Sequence, residues 1–426
     1  MVEGRSLWRN PDFVKLWAGE TISVFGSLVG RTALPFTAIL VLDARPIEVA
    51  LLSVAELLPA LLAGPLVGVW VDRLHRRPIL ILADLGRALL LTTIPLAHLF
   101  GALQIEQLYA VAFLVGILTM FFDVAYLSYL PSLVRKDELL EGNSKLAASS
   151  SAAEIGAFPL SGWLVQLVTG PVTILIDAVS FVFSAAFVAS IRGREPPPAP
   201  ARERQSVRAE FVEGVRLVFS DRVLRPLAAS AVTLELSYRV FGAVFLLYAT
   251  KELGFKPGIL GIIFALGGIS SLLGAILARR SAHRLGVGVA MWGGLLLMAV
   301  SMLFVPLARG ATVLAAFFLI AQQLVGDGGA TVYEINQVTL RQAITPERML
   351  GRVNASIRLT ALAAMLIGSL TGGLLGETIG LRATLVVGAG FTFAAAAWLI
   401  LSPARALRGP PLIVAEPSSA ARVDGG

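Results

Sequence analysis

Apolar residues in this chain do not recur at a helical or strand period against polar ones. They form blocks of twenty or more, separated by short polar segments. About 20 apolar residues in an α-helix cross a hydrocarbon core of about 30 Å. The blocks predict spans over 13–42, 47–71, 78–100, 105–130, 144–168, 171–191, 226–250, 257–278, 286–307, 311–336, 354–377 and 381–402. A surface helix of a soluble protein keeps one polar face, and these segments are apolar all round. The pattern predicts an all-α integral membrane protein with twelve transmembrane helices.

The longest polar interval, 192–225, divides the spans six and six. It opens with Glu195-Pro196-Pro197-Pro198-Ala199-Pro200, which cannot continue a helix. An amphipathic stretch over 206–220 follows, with Val207, Phe211, Val215 and Val218 on one stripe and Arg208, Glu210, Glu213 and Arg216 elsewhere. It suits either a helix lying on the membrane surface or a solvated linker. The expected organisation is a bundle over 1–191, a central loop over 192–225, a second bundle over 226–403 and a disordered tail over 404–426.

The halves repeat at a shift of about 208 residues: Arg31 matches Arg239, Gly68 matches Gly274, Asn143 matches Asn354 and Gly162 matches Gly373. Gly68 and Gly274 each precede a basic cluster. Duplicated helical units of this kind are the architecture of many secondary transporters, with the substrate site between the repeats. Two pseudo-symmetric six-helix bundles are therefore expected.

Charge fixes an orientation. Only 15% of the 426 residues are charged, against about 25% in a soluble domain. With the N-terminus inside, 26 of the 35 Lys and Arg fall on inner segments, five (Arg45, Lys251, Lys256, Arg309, Arg382) on outer loops and four (Arg31, Arg87, Arg239, Arg358) within spans. That bias places both termini in the cytoplasm. It also accounts for the net charge of +7 without any nucleic-acid partner. The first polar residues and the length of the first span argue against a cleavable signal peptide. The Arg-, Ala- and Gly-rich composition suggests a bacterium, and hence its inner membrane. There is no cysteine, so thiolate and disulfide chemistry are excluded.

Gly68-Val69-Trp70-Val71-Asp72-Arg73-Leu74-His75-Arg76-Arg77 resembles the inner-loop signature of the major facilitator superfamily, with His75 where a second Gly is usual. The opening Asn10-Pro11-Asp12-Phe13 through Arg31-Thr32-Ala33-Leu34-Pro35 resembles the branch of macrolide-efflux proteins and enterobactin exporters among drug:proton antiporters. So do Tyr129-Leu130-Pro131-Ser132-Leu133-Val134 and Ile176-Asp177-Ala178-Val179-Ser180-Phe181. Gly156-Ala157-Phe158-Pro159-Leu160-Ser161-Gly162 is similar to the antiporter motif, with Phe158 in place of a Gly; Gly156, Pro159 and Gly162 carry the likeness. The resemblance implies the major facilitator fold and export of a small lipophilic or amphipathic compound by proton antiport and alternating access. It implies no enzyme activity, cofactor or metal, and a monomer in the bilayer. Export of a siderophore or movement of a lysolipid fits the same fold. The fourth span lacks the Arg that many proton-driven exporters carry, and has Asp123 instead.

Charges inside a membrane cost at least about 2.5–3.5 kcal/mol each and are functional candidates by default. Glu20, Arg31, Glu56, Asp123, Glu154, Glu235, Arg239 and Asp327 are the candidates for substrate or proton coupling. Spans 1, 4, 7 and 10 line the cavity in the family architecture, so Glu235 and Asp327 lead. Glu235 and Arg239 are four apart on one helix and can pair directly; a permanent structural ion pair is the competing reading. Gly68, Asp72, Arg73, Arg76, Arg77, Asp84 and Arg87 are expected to form a cytoplasmic gate, or, for the basic residues, to serve topology alone. Phe121, Phe122, Tyr126, Phe241, Phe245 and Tyr248 could meet an apolar substrate or simply pack. No Gly-Lys dipeptide occurs, so a P-loop is absent. His75, His98 and His283 are scattered, which argues against a metal site. A channel or non-transporting scaffold is the alternative from a different class.

Overall fold

A computed structural model describes residues 7–71, 73–193, 195 and 207–408, apart from the side chains of residues 65, 66, 68, 69 and 207–210. The first bundle comprises α1 (Pro11–Leu40), α2 (Pro46–Val71), α3 (Arg76–Leu99), α4 (Ile105–Leu133), α5 (Leu139–Val168) and α6 (Gly170–Ala189). A shorter α7 (Val207–Ser220) leads to the second: α8 (Leu224–Leu247), α9 (Pro257–Leu285), α10 (Val287–Met302) continued by the single turn α11 (Phe304–Leu307), α12 (Val313–Ile344), α13 (Glu347–Thr378) and α14 (Leu381–Ile400). The twelve predicted spans thus each correspond to one helix or helix pair.

Eleven of these segments are long and apolar enough to cross a membrane. The remaining long helix, α5, carries Lys145, Glu154 and Ser149 to Ser151, and packs lengthwise between α1 and α9. Small and polar side chains suit a helix that meets other helices more than lipid.

Helix starts follow local chemistry. Asn10 Oδ1 accepts hydrogen bonds from the amides of Asp12 and Phe13 at 3.1 and 3.2 Å, with Pro11 in the first turn. The same Asn10 donates from Nδ2 to the Leu133 carbonyl at 3.1 Å, tying α1 to the end of α4. Gly286, at φ 94°, turns α9 into α10 with no intervening loop.

In the first bundle α6 packs against α1 and α3, and α4 against α2 and α3; in the second, α12 packs against α9 and α10, and α8 against α13 and α14. The bundles meet along α2 with α13 and α5 with α9. The amphipathic stretch forms α7 and lies on α13: Glu213 pairs with Arg352 at 2.6 Å, Ser356 donates to the Phe211 carbonyl at 3.1 Å, and Val218 is buried with Val353 and Ile357. Beyond α14 the chain packs on α10 through residue 407, where the Leu407 carbonyl accepts from the Gly288 amide at 2.9 Å. The tail expected from 404 therefore begins as packed structure. Its residues 409–426, like the proline run at 196–200, lie outside the described residues.

Candidate functional site

Six helices of the first bundle surround a cavity of about 410 Å³ whose lining is heavily charged. Glu20 and Arg31 enter it from α1, Glu56 from α2, Arg87 from α3, Asp123 from α4, Glu154 from α5 and Asp177 from α6. Five carboxylates and two guanidiniums thus share one space, with Phe122 and Phe181 in its wall. The eleven-residue spacing of Glu20 and Arg31 does put both on one face. What spacing could not give is the partner of Arg31, which bonds Glu56 across the helix gap at 2.9 Å, Nε to Oε1. Glu20 has one buried oxygen, Oε2, without a hydrogen-bond partner among the described residues.

Asp84 and Arg87 do not sit with the inner-loop basic residues, as the sequence led us to expect. Both are buried, at 0% and 3% exposure, and pair with each other inside the bundle. The Arg87 guanidinium lies between the Phe122 and Phe181 rings, 4.3 and 4.0 Å from their centroids. Eleven residues into α3, Arg87 is about 16 Å along the helix axis, which is why it reaches the cavity instead of the loop. Phe122 is therefore a packing partner of a cation.

Asp177 stands in the sequence only as part of a motif and not as a candidate. It is 5% exposed, within 3.5 Å of Ser27 Oγ, and Gly26 and Gly30 of α1 give it room. A Cβ on Gly30 would collide with Asp177 Oδ2. The signal in the sequence is the facing pair of glycines four apart, whose meaning depends on which helix they meet.

The second bundle holds a sparser set. Glu235 and Arg239 line a cavity of about 380 Å³ with Tyr238 and with Ser53 of α2. The direct ion pair expected between Glu235 and Arg239 is absent among the described residues. Arg239 instead sits in the combined field of Glu56, Glu235 and Arg31, because α8 faces α2 across the bundle boundary. Asp327 points at Gly267 of α9, where any Cβ would strike Oδ2. Glu334, two turns further along α12, lies in the field of Glu235 and is not among the residues the sequence singles out. Phe241, Phe245 and Tyr248 are buried packing residues of the common core, with Phe241 stacked on Phe245 at 5.7 Å.

At the inner loop, Glu195 Oε1 accepts from the Arg76 amide at 2.8 Å and Oε2 from the Arg77 amide at 3.3 Å, closing the start of α3. Arg77 Nη2 donates to the Ala189 carbonyl at 2.5 Å. The Glu195 bonds tie the start of the central loop to the first bundle and do not reach the second. Arg73 is exposed; Gly68 lies in α2; Asp72 lies outside the described residues.

The antiporter-like motif marks a boundary between bundles. A Cβ on Gly162 would strike the Pro257 carbonyl oxygen and come within 3.1 Å of Gly261 Cα, and one on Gly261 would lie 2.8 Å from the Phe158 carbonyl oxygen and 3.0 Å from Pro159 Cα. Backbone thus meets backbone where α5 crosses α9. Gly156 has only Phe25 nearby, at 3.7 Å. Further contacts cluster at the same end of the molecule. Lys251 Nζ bonds Asp43 Oδ1 at 2.5 Å, Gln166 Oε1 accepts from the Gly258 amide at 3.2 Å, and Gly376 sits where a Cβ would be 2.8 Å from Pro46 Cβ.

Comparison with known proteins decides the family. The model of the Major Facilitator Superfamily matches residues 17–338 and 227–422. The chain belongs to the major facilitator superfamily. It is a multi-pass membrane protein of that transporter family. The multidrug efflux pump Tap of Mycolicibacterium fortuitum is 25% identical over 385 residues, covering 88% of this chain and 91% of Tap. Macrolide efflux protein A of Streptococcus pyogenes is 29% identical over 188 residues, 42% of this chain and 44% of that protein. Among solved structures, a bacterial homologue of the iron transporter ferroportin in its inward-facing state superposes with a TM-score of 0.75 at 21% identity, covering 93% and 99% of the two chains. The nucleoside transporter NupG gives 0.74, at 14% identity, covering 92% and 98%. These likenesses establish the major facilitator fold.

Proposed function

We propose that this major facilitator transporter exports a lipophilic, cationic or amphipathic small molecule in exchange for protons, using the acid-lined cavity of the first bundle as its coupling site. The observation that carries the reading is the gathering of Glu20, Glu56, Asp123, Glu154 and Asp177 around one space whose described lining holds two arginines, Arg31 and Arg87. Cations and protons then compete for the same carboxylates, which is the minimum that antiport requires. The aromatic wall offers an apolar surface. The efflux names of two relatives point the same way.

Both termini are assigned to the cytoplasm of a bacterium, with residues 1–191 and 226–403 as the rocking units. The contacts between the bundles at the end carrying Asp43 and Lys251 support reading this state as open towards the cytoplasm. In the opposite state Arg73, Arg76 and Arg77, with Asp72, would meet the second bundle as an inner gate.

Reconstitution into liposomes tests the reading. Uphill movement of a fluorescent lipophilic cation should follow an imposed pH gradient and stop when the gradient is collapsed. Glu20→Gln and Asp123→Asn should lose uphill movement while keeping downhill exchange. Uphill transport that ignores the gradient, or that survives both amide substitutions, overturns it.

A further inference from the structure

A second cavity, of about 480 Å³, lies at the end of the second bundle where α7 turns into α8. Its walls are apolar: Val218 and Ile357 are buried there, with Ala229 of α8 beside them. Arg222 and Arg225 complete the lining. Both are exposed, and neither has an ion-pair partner among the described residues.

These two cations do not serve the helix they flank. Arg225 occupies the first turn of α8, where the helix dipole disfavours positive charge. The adjacent acid, Asp221, is committed elsewhere: its Oδ1 accepts the amides of Val223 and Leu224, each at 2.7 Å. Trp398, 52% exposed, stands at the mouth and donates from Nε1 to Thr233 Oγ1 at 3.1 Å. A half-exposed Trp with a satisfied N–H is the side chain favoured at headgroup depth.

An apolar hollow lined by two exposed guanidiniums with no ion-pair partner among the described residues, at the end of α8 where the charge bias predicts the inner membrane interface, complements one ligand chemistry. A phosphodiester can accept from the guanidiniums while an acyl chain fills the hollow. We propose that this cavity is a specific binding site for an anionic phospholipid. Because α7 belongs to the connection between the bundles and is tied to α13 by Glu213 and Arg352, a bound lipid would fasten that connection to the second bundle. The site is independent of the acid-lined cavity and of the transport reading.

The test uses the purified full chain in detergent, with native mass spectrometry and thermal melting, titrated with phosphatidylglycerol, phosphatidylcholine or inorganic phosphate. Phosphatidylglycerol should remain bound and raise Tm; phosphatidylcholine and phosphate should do neither. Arg222→Gln with Arg225→Gln should weaken phosphatidylglycerol binding about thirtyfold, since each cation near a lipid surface contributes about one further factor of five. Ala229→Trp fills the hollow but leaves both cations, and should also weaken binding. Equal binding of both lipids, an equal Tm shift with phosphate alone, or wild-type affinity in either the double or the filling variant would overturn the site. Wild-type affinity in the filling variant would mean that the arginines act only as surface charge; in the double variant, that they do not act at all.

Discussion

The two bundles share a topology and differ in what fills them. The first encloses charge: five carboxylates and two arginines stand around one cavity, and Asp84 is buried behind it against Arg87. The second is closed by backbone. At α9, α10 and α12 the helices approach through glycines: a Cβ on Gly274 would lie 2.5 Å from the Gly328 carbonyl oxygen, and one on Gly329 would lie 2.6 Å from that of Gly294. Such packing needs no charge, and the polar side chains buried along α12, Gln322, Gln323, Asn336 and Gln337, are neutral. Under the proposed function the difference divides the labour: the first half holds the coupling acids, and the second is the body against which it rocks.

The sharpest way to break that contrast is Arg87→Met. It strands Asp84 without its partner, and loss of one member of a buried pair typically costs about 3–5 kcal/mol. Thermal melting should show a large loss, and transport should vanish with it. A variant that melts like the wild type would mean that Asp84 is already neutral there and the pair is not a structural ion pair.

Amide substitutions compare the halves directly. Glu20→Gln or Asp123→Asn should bring gradient-driven uptake into inverted vesicles down to the protein-free background. Glu235→Gln and Asp327→Asn, on the second bundle, should retain a measurable part of it. If the second pair proves as severe as the first, coupling is shared between the halves and the asymmetry lies in packing alone.

Gly329→Ala probes the backbone contact. Overpacking of that kind costs about 1–3 kcal/mol. Gly293 has nothing within 4 Å of an added Cβ, so Gly293→Ala should be neutral or slightly stabilising through helix propensity. Equal melting temperatures for the two variants would remove the claim of tight closure.

The smallest effect concerns the contact that holds the bundles together at their loops. The Lys251 ammonium beside Asp43 holds its carboxyl below the usual carboxylate range. A group with a lowered pKa contributes fully above its free value, about 3.9, and the contribution fades as pH falls through the lowered one. Between pH 5 and 8 the contact should not vary. Asp43→Asn should weaken it at every pH. The chain has no cysteine, so a Pro46→Cys, Gly376→Cys pair gives a clean readout. Asp43→Asn should lower its cross-linking yield slightly and by the same fraction at each pH in that range, since the thiolate dependence of the reaction is common to both backgrounds. A fraction that changes between pH 5 and 8 would assign the closure to another group.

Legibility in the sequence followed the range of the forces involved. The predicted span over 105–130 became α4, Ile105–Leu133, and the span over 381–402 became α14, Leu381–Ile400, because crossing a bilayer is a requirement on consecutive residues. The acids of the cavity in the first bundle are mostly visible one by one, since a charge in an apolar block stands out. Their grouping is not. Arg87 reads as part of the loop it follows, yet depth along α3 matters more than nearness in sequence. Asp177 does not stand out because its place depends on Gly26 and Gly30 of a helix some 150 residues away. Glu235 and Arg239 are spaced to pair, yet α2 brings Glu56 into the field of Arg239.

By itself the sequence determined that the chain crosses the membrane repeatedly, in two matching halves and with a strong charge bias between loops. Those properties are sums over consecutive residues, set by hydrocarbon thickness and the cost of unpaired backbone in lipid. Only the tertiary structure decided which carboxylates share a cavity, which guanidinium lies between two rings and which glycines bring the bundles into contact. Each depends on the rotation and depth of one helix against another, and in a membrane those are fixed by close packing between surfaces that are equally apolar.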